Sequence, residues 1–267
     1  MDKPYFYFGY EYGRAMLNVR DGGKRELRRD TLDVTQSILS QRKDPEEYPE
    51  LGRLADVLAR IRVYRRWQFG PDAVVREACS PDARADHLSE NFSNLPARLA
   101  VLKRSPPVKR RLLELIRELA PGFSDIEVVP EGGALTLYLI EGNLSIPARR
   151  VSDGTLRFLC LLAILVDPEP PPLIAIEEPE LGLHPDIHPQ LATLLLDASE
   201  RTQLVVTTHS DILVDALTDT PETIVVCEKI DGCTRLQRLS PERLRPWLDK
   251  YRLGELWMRG EIGGTRW

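Results

Sequence analysis

Two rhythms of apolar and polar positions run along this chain. In residues 50–62, Leu51, Leu54, Ala55, Leu58 and Ile61 recur at helical spacing, which predicts a helix with one apolar face. Two further helices are predicted at residues 95–103 and 108–119, separated by Pro106-Pro107 and closed by Pro121-Gly122. Between these lie shorter β-prone runs. Residues 5–19 are aromatic and broken by Gly9 and Gly13; Asp21-Gly22-Gly23 then reads as a hairpin turn into a basic strand or arm over 24–29. A strand is predicted at 63–69, closed by Gly70-Pro71, with a polar loop reaching about Ser93. Glu131-Gly132-Gly133 between residues 126–129 and 135–140 is a hairpin signature.

From residue 150 the pattern changes. A polar turn, Ser152-Asp153-Gly154, opens an apolar helix over 155–166, and a proline-rich loop ends it. Residues 173–176 are wholly apolar, as expected of a buried parallel strand, and run into Glu177-Glu178. A helix is predicted near 189–199, a second buried strand at 203–206 ending in Thr207-Thr208-His209-Ser210, a helix at 212–217, a third strand at 223–227, and a fourth after Asp231-Gly232. Such alternation predicts right-handed crossovers and a largely parallel sheet, so the fold class is α/β.

Composition narrows the class. The chain has 267 residues, 42% of them hydrophobic and 29% charged, an ordinary globular balance for one large or two small domains. The longest apolar run, residues 158–166, is far short of a membrane span, and no secretion signal opens the sequence. Cys79, Cys160, Cys227 and Cys233 have no CxxC spacing and are expected as reduced, mostly buried thiols of a cytoplasmic protein. Net charge is uneven: residues 1–120 hold 23 Lys+Arg against 18 Asp+Glu, whereas 121–267 hold 13 against 23. A basic part joined to an acidic part points to surfaces with different partners.

Candidate chemistry gathers in the acidic part. Two adjacent carboxylates at the C-terminal end of a parallel strand stand where ligands bind in open α/β sheets. Their side chains point opposite ways, so one can face a phosphate-bound Mg²⁺ and the other an attacking water. Alone, Glu177-Glu178 is equally a solvated acidic turn, and His209 alone is more often a structural histidine. If the two strands are neighbours, a double acid and an imidazole share one rim. Upstream, Ser152 and Gly154 at a helix start offer an anion site, since exposed N–H groups and the helix dipole favour negative charge there; Ser152 or Asp153 also reads as an N-cap.

In this order, these elements resemble the ATP-binding-cassette-type ATPases of the SMC/RecF-like branch, specifically the bacterial AAA-type ATPases built on that cassette. Ser152-Asp153-Gly154-Thr155-Leu156-Arg157 resembles their signature motif, Leu173 through Glu180 their Walker B with its catalytic glutamate, Leu181-Gly182-Leu183-His184-Pro185 their D-loop, and Thr208-His209-Ser210 their H-loop. The ending from Leu253 and the segment 44–69 resemble the C-terminus and the middle region of these proteins. The resemblance implies a P-loop NTPase-like lobe at 121–267 and a middle region with β-strands and a helical insertion at 1–120. It implies ATP and Mg²⁺ as cofactors, Glu177 in the Mg²⁺ shell, Glu178 polarising the attacking water, His209 on the γ-phosphate, and Ser152, Asp153, Gly154 and Arg157 as the nucleotide-contacting signature of a second protomer.

The sequence departs from that family at one point. No GxxxxGK[ST] phosphate loop occurs, and no Q-loop is evident. The chain is therefore expected to be the C-terminal two thirds of a longer ATPase, cut before or around Tyr5, or one whose N-terminal phosphate-loop lobe sits on another polypeptide. Expected partners are a second copy in a homodimer or a chain supplying that loop; DNA, met by basic clusters at 24–29, 60–66 and 103–111 that also read as solvated faces; and an effector such as a nuclease. A non-hydrolysing interaction module is the alternative. A metal-dependent nuclease using Glu177, Glu178 and Glu180 is the second rival. Glu180, His184 and His188 have the spacing of a helical metal site, but Pro185 and Pro189 argue against the helix it needs. Trp67, Trp247, Trp257 and Trp267 are expected to pack.

Overall fold

A computed structural model of the protein describes residues 6–12, 14–18, 23–27, 32–33, 35–42 and 44–264. The chain divides into two compact units, Met1–Ile61 and Arg62–Trp267. In the first, β1 (Phe8–Glu11), β2 (Arg14–Asn18) and β3 (Lys24–Leu27) form an antiparallel meander. Asn18 pairs with Lys24, as a hairpin requires; Asp21 and Gly22 of its expected turn lie outside the described residues, as do Arg28 and Arg29 of the basic cluster. Two helices follow, α1 (Ile38–Gln41) and α2 (Pro49–Ala59). Ala15, Leu17, Leu27, Tyr48 and Leu51 make the small core of this unit. The α2 stripe is only partly used: Leu51 is buried, whereas Leu54 and Leu58 stay about half exposed.

The second unit is built around a helix. Its elements are β4 (Arg62–Tyr64), α3 (Leu95–Leu102), α4 (Pro106–Leu119), β5 (Phe123–Glu131), β6 (Ala134–Glu141), β7 (Leu144–Pro147), α5 (Asp153–Leu165), β8 (Leu173–Glu177), α6 (His188–Ser199), β9 (Gln203–Thr207), α7 (Asp211–Ala216), β10 (Val225–Ile230), β11 (Cys233–Arg238), α8 (Pro241–Leu248) and α9 (Leu253–Met258). Every residue of α5 from Leu156 to Leu165 is buried, as a helix apolar all round must be. One core joins α5 to α3, α4, α6, the β5-β6-β7 meander and the inner face of a parallel sheet ordered β4-β8-β9. Residues 62–120 therefore share their core with the residues that follow.

Pro106 and Pro107 open α4 instead of merely separating helices, because the first turn needs no amide donor there. The hairpin at Gly132-Gly133 forms as expected: both glycines have positive φ, +56° and +81°, as the two-residue turn between twisted strands demands. The expected strand over 63–69 is shorter, because the chain leaves the sheet after Tyr64 and Trp67, Phe69 and Phe92 stack on one another. The third strand predicted at 223–227 does not extend the parallel sheet. It becomes β10, which pairs with β11 in a separate antiparallel hairpin. Its alternating half-buried and exposed residues suit a ribbon with one covered face, and that face packs with α8 and α9 over Val214, Leu239 and Leu253. Cys79 and Cys160 are buried, but Cys227 and Cys233 on this hairpin are exposed; all four are free. No described helix is long and apolar enough to cross a membrane.

Among the described residues, β9 pairs on one side only. Its outward row continues across the sheet: Val63 pairs with Ala175 and Ala175 with Val205, and Val63 and Val205 are 41% and 50% exposed. The opposite row buries Tyr64, Ile174 and Ile176 against α5 and its neighbours.

Candidate functional site

The two acidic and imidazole-bearing strand ends are neighbours. β8 and β9 run parallel with Ile176 opposite Val206 and Glu177 opposite Thr207. One more ladder bond continues past the strand, from the Glu178 amide to the Thr207 carbonyl at 2.9 Å. Glu178 then turns with φ +45°, a left-handed conformation costly for a residue with a Cβ. That turn brings its Oε1 to 3.7 Å from His209 Nε2; the imidazole side chain is 82% exposed and the carboxylate 28%. Both groups can therefore meet a water or a phosphate oxygen without first shedding a protein partner.

Glu177 is exposed at the strand end, and its carbonyl accepts a 2.7 Å hydrogen bond from the Trp67 indole. Because β4 is the third strand of the same parallel sheet, the segment after it, Arg65-Arg66-Trp67-Gln68, reaches the same rim. Trp67 thus does more than pack, and its neighbours Arg65 and Arg66 present two exposed cations there. The sequence signal was the basic pair beside a tryptophan. What it lacked was the pairing of β4 with a strand 112 positions later.

The start of α5 is braced. Ser152 caps it, its Oγ accepting from the Thr155 amide at 3.2 Å and meeting Thr155 Oγ1 at 2.8 Å. Asp153 pairs with Arg76, a buried side chain that also donates to the carbonyls of Phe69, Gly70, Ala148, Arg149 and Val151. Nothing in the sequence distinguished Arg76 from the surrounding polar loop. Gly154 abuts the 178–183 turn so closely that a Cβ there would lie 2.9 Å from the Gly182 carbonyl oxygen. Arg157 is buried, with its guanidinium 4.6 Å from the Trp67 ring centroid and 5.6 Å from that of Phe69. Burial pulls Arg157 down to about 10, against the opposing pull of Glu180 and, to a lesser degree, of Cys160 and Glu178.

Glu180 and His188 are buried, whereas His184 is exposed beside Asp186. His184 is extended, but His188 adopts helical angles before Pro189 and begins α6, so the proline excludes less than expected. Glu180 Oε1 accepts from Thr208 Oγ1 at 2.5 Å and from the His209 amide at 3.2 Å. His188 Nδ1 lies 2.9 Å from Ser210 Oγ, the cap of α7. Sequence spacing singled out Glu180 only as a metal-site candidate; its burial and its grip on the 208–209 backbone were not legible.

Among the described residues, no group of three or more His, Cys, Asp or Glu is placed to hold a metal ion by itself. The rim instead offers exposed carboxylate oxygens at Glu177 and Glu178, the donor type suited to a Mg²⁺ held largely by substrate phosphate and water. The basic clusters are partly neutralised where they stand: Arg25 pairs with Glu47, Lys103 and Lys109 with Asp125, and Arg111 with Asp197.

A family model described as "AAA domain, putative AbiEii toxin, Type IV TA system" matches residues 80–215. No curated protein matches the sequence. Among solved structures, an Smc head bound to the C-winged helix domain of ScpA superposes with a TM-score of 0.50 at 14% identity, covering 86% of this chain and 68% of that one. A chain from work on ATP-driven dimerization and DNA-stimulated activation of SMC ATPases gives 0.42 at 19% identity, covering 57% and 96%. An Smc head with coiled coil and joint from Pyrococcus yayanosii gives 0.41 at 21% identity, and this chain covers 60% of itself and only 34% of that chain. At these identities the likeness to the first is one of fold: a mixed α/β architecture with a parallel sheet, of the SMC-head, P-loop NTPase kind.

Proposed function

The chain belongs to the AAA domain family matched by its residues 80–215, and from that premise we propose that it is the part of an ATP-hydrolysing, dimer-forming enzyme that carries the signature, the catalytic acid and the phosphate-sensing histidine. The observation that carries this reading is the meeting of Glu178 and His209 at the ends of adjacent parallel strands. When bound, ATP with Mg²⁺ supplies the phosphoryl group and the charge that neutralises it. Glu177 offers an oxygen to the Mg²⁺ shell. Glu178 orients and polarises the attacking water, and His209 donates a hydrogen bond to a terminal phosphate oxygen. Phosphoryl transfer of this kind depends on positioning and electrostatics rather than on covalent chemistry. Ser152, Asp153 and Gly154 present the helix start to the nucleotide of a second protomer; Arg157 fixes that helix against Trp67 and Phe69 from within. In this division of labour residues 121–267 carry the motifs and residues 1–120 form the middle region.

On this reading the phosphate cradle is supplied by residues other than these 267, whose sequence holds no GxxxxGK[ST]. Such a loop joins a strand to a helix. The side of β9 left unpaired among the described residues suits a further parallel strand, and the outward row Val63–Ala175–Val205 suits a covering helix, since parallel sheets are normally buried on both faces. A loop joining the two would reach the rim beside His209.

The test is ATP turnover by the 267-residue chain alone and with a phosphate-loop segment supplied, either from residues encoded ahead of Met1 or as a second polypeptide. The expected result is no turnover alone and turnover on completion, abolished by Glu178→Gln. Completion that restores nucleotide binding without turnover would favour the non-hydrolysing module, and Mn²⁺-dependent DNA cleavage by the chain would favour the nuclease.

A further inference from the structure

Glu180 sits where a stability argument would not put it. Its side chain belongs to a residue only 5% exposed, among the described residues no cation lies within ion-pair distance of it although it feels the charge of buried Arg157, and its Oε2 is buried without a hydrogen-bond partner. A buried, half-satisfied carboxylate costs stability compared with an amide or an apolar side chain of similar size. Its other oxygen does one specific thing: Oε1 takes the Thr208 hydroxyl at 2.5 Å and the His209 amide at 3.2 Å. Thr208 Oγ1 in turn accepts from the Ser210 amide at 3.0 Å, and Ser210 Oγ caps α7 at the Leu213 amide and meets buried His188. Thr208 and the His209 amide, at the start of the link between β9 and α7, thus share one carboxylate of the neighbouring 178–183 turn, and Ser210 at its end is held by His188.

His209 needs such a support. Its imidazole is almost fully exposed, and among the described residues it is held by the Glu178 carboxylate alone, 3.7 Å away. A surface pair at that distance contributes too little to fix a side chain. What fixes it is the backbone beneath, and Glu180 holds that backbone. The turn bearing Glu180 also contacts the start of α5, through the close approach of Gly154 to Gly182 and the field of Arg157.

We propose that Glu180 is a positioning residue: by clamping Thr208 and the His209 amide it sets the imidazole of His209 opposite Glu178. This rests on the reading of Glu178 and His209 as the hydrolytic pair. It also assigns the acid a task other than metal binding.

Amide hydrogen exchange in the 267-residue chain tests the clamp directly. In E180L the His209 amide should exchange about tenfold faster, the equivalent of one lost hydrogen bond, while the amides of β8 keep their rates; E180Q, which retains an acceptor oxygen, should stay near wild type. Should E180L fail to fold, E180A removes the same acceptor with a smaller side chain and should free the same amide, whereas T208V should free the Ser210 amide and leave that of His209 protected. In the enzyme completed with a phosphate loop, E180L should lower kcat by about 100-fold with ATP affinity unchanged, as for misplacement of a catalytic group, and H209A added to it should cost nothing more. An unchanged His209 exchange rate in folded E180L or E180A, or losses from E180L and H209A that multiply, would overturn the proposal. A completed enzyme that never turns over ATP would overturn the ATPase reading instead, and the exchange rates would still decide whether Glu180 sets His209.

Discussion

The start of α5 and the rim at β8 and β9 face the same turn, yet they are built on opposite plans. At the helix start two buried arginines are committed. Arg76 closes on Asp153 and five carbonyls, and Arg157 lies over the Trp67 and Phe69 rings. At the rim Glu177, Glu178 and His209 reach solvent, and the Glu178 backbone is held in a left-handed turn. On the proposed function, an edge that grips a ligand must keep its polar groups unspent, whereas a helix whose end meets a second protomer must not move. The far end of α5 follows the first plan: Asp167 pairs with Arg98 at 2.5 Å, and both are buried.

The sharpest way to break this contrast is to remove a brace. Arg76→Met should destabilise the fold by about 3 kcal/mol or more in urea unfolding, because five carbonyls lose their donor inside the protein. A loss no larger than that of an ordinary surface change would show that the helix start is not held this way. Gly154→Ala should cost about 1–3 kcal/mol, since the new methyl meets the Gly182 carbonyl at 2.9 Å and backbone must shift. Its effect should appear in the amide signals of 180–184 before those of the β5-β6-β7 meander.

Acid sharpens the comparison further. Burial alone would raise the Asp167 carboxyl, but the hydrogen bond with His87 and the charge of Arg98 outweigh it, so its folded value lies below the ordinary aspartate range. A depressed acid contributes stability above its unfolded value of about 4 and loses it as pH falls through the folded value. Thermal melts should therefore steepen in their decline below about pH 4, and Asp167→Asn should be less stable at neutral pH and show a shallower decline. The smallest effect belongs to the rim. His209→Ala should leave stability within about 0.5 kcal/mol of wild type, because the imidazole is exposed, while removing turnover from the completed enzyme.

These two plans differed in how far the sequence disclosed them. The rim was legible because its signals are local: two short apolar runs, each ending in charge-bearing residues, announce buried parallel strands and their ligand edge. The α5 start was legible as a cap and an apolar helix. Its braces were not, since Arg76 looks like any arginine of a polar loop until the fold delivers residues 148–153 to it. Likewise the apolar run after Thr223 carried no sign that it would leave the parallel sheet; only the hairpin with β11 and the packing of α8 and α9 decide that. Glu180 was visible as an acid near two histidines and beside Glu177 and Glu178, but not as a buried one, because burial of a carboxylate depends on what the 208–210 link brings to it.

The side of β9 unpaired among the described residues also governs how the chain behaves in the tube. Gln203-Leu204-Val205-Val206-Thr207 contains no lysine, no proline and no bulge, the devices by which natural ribbons discourage strangers. Prepared by itself at high concentration, this polypeptide should clump through that ribbon, and a lysine at Val205 should keep it in solution.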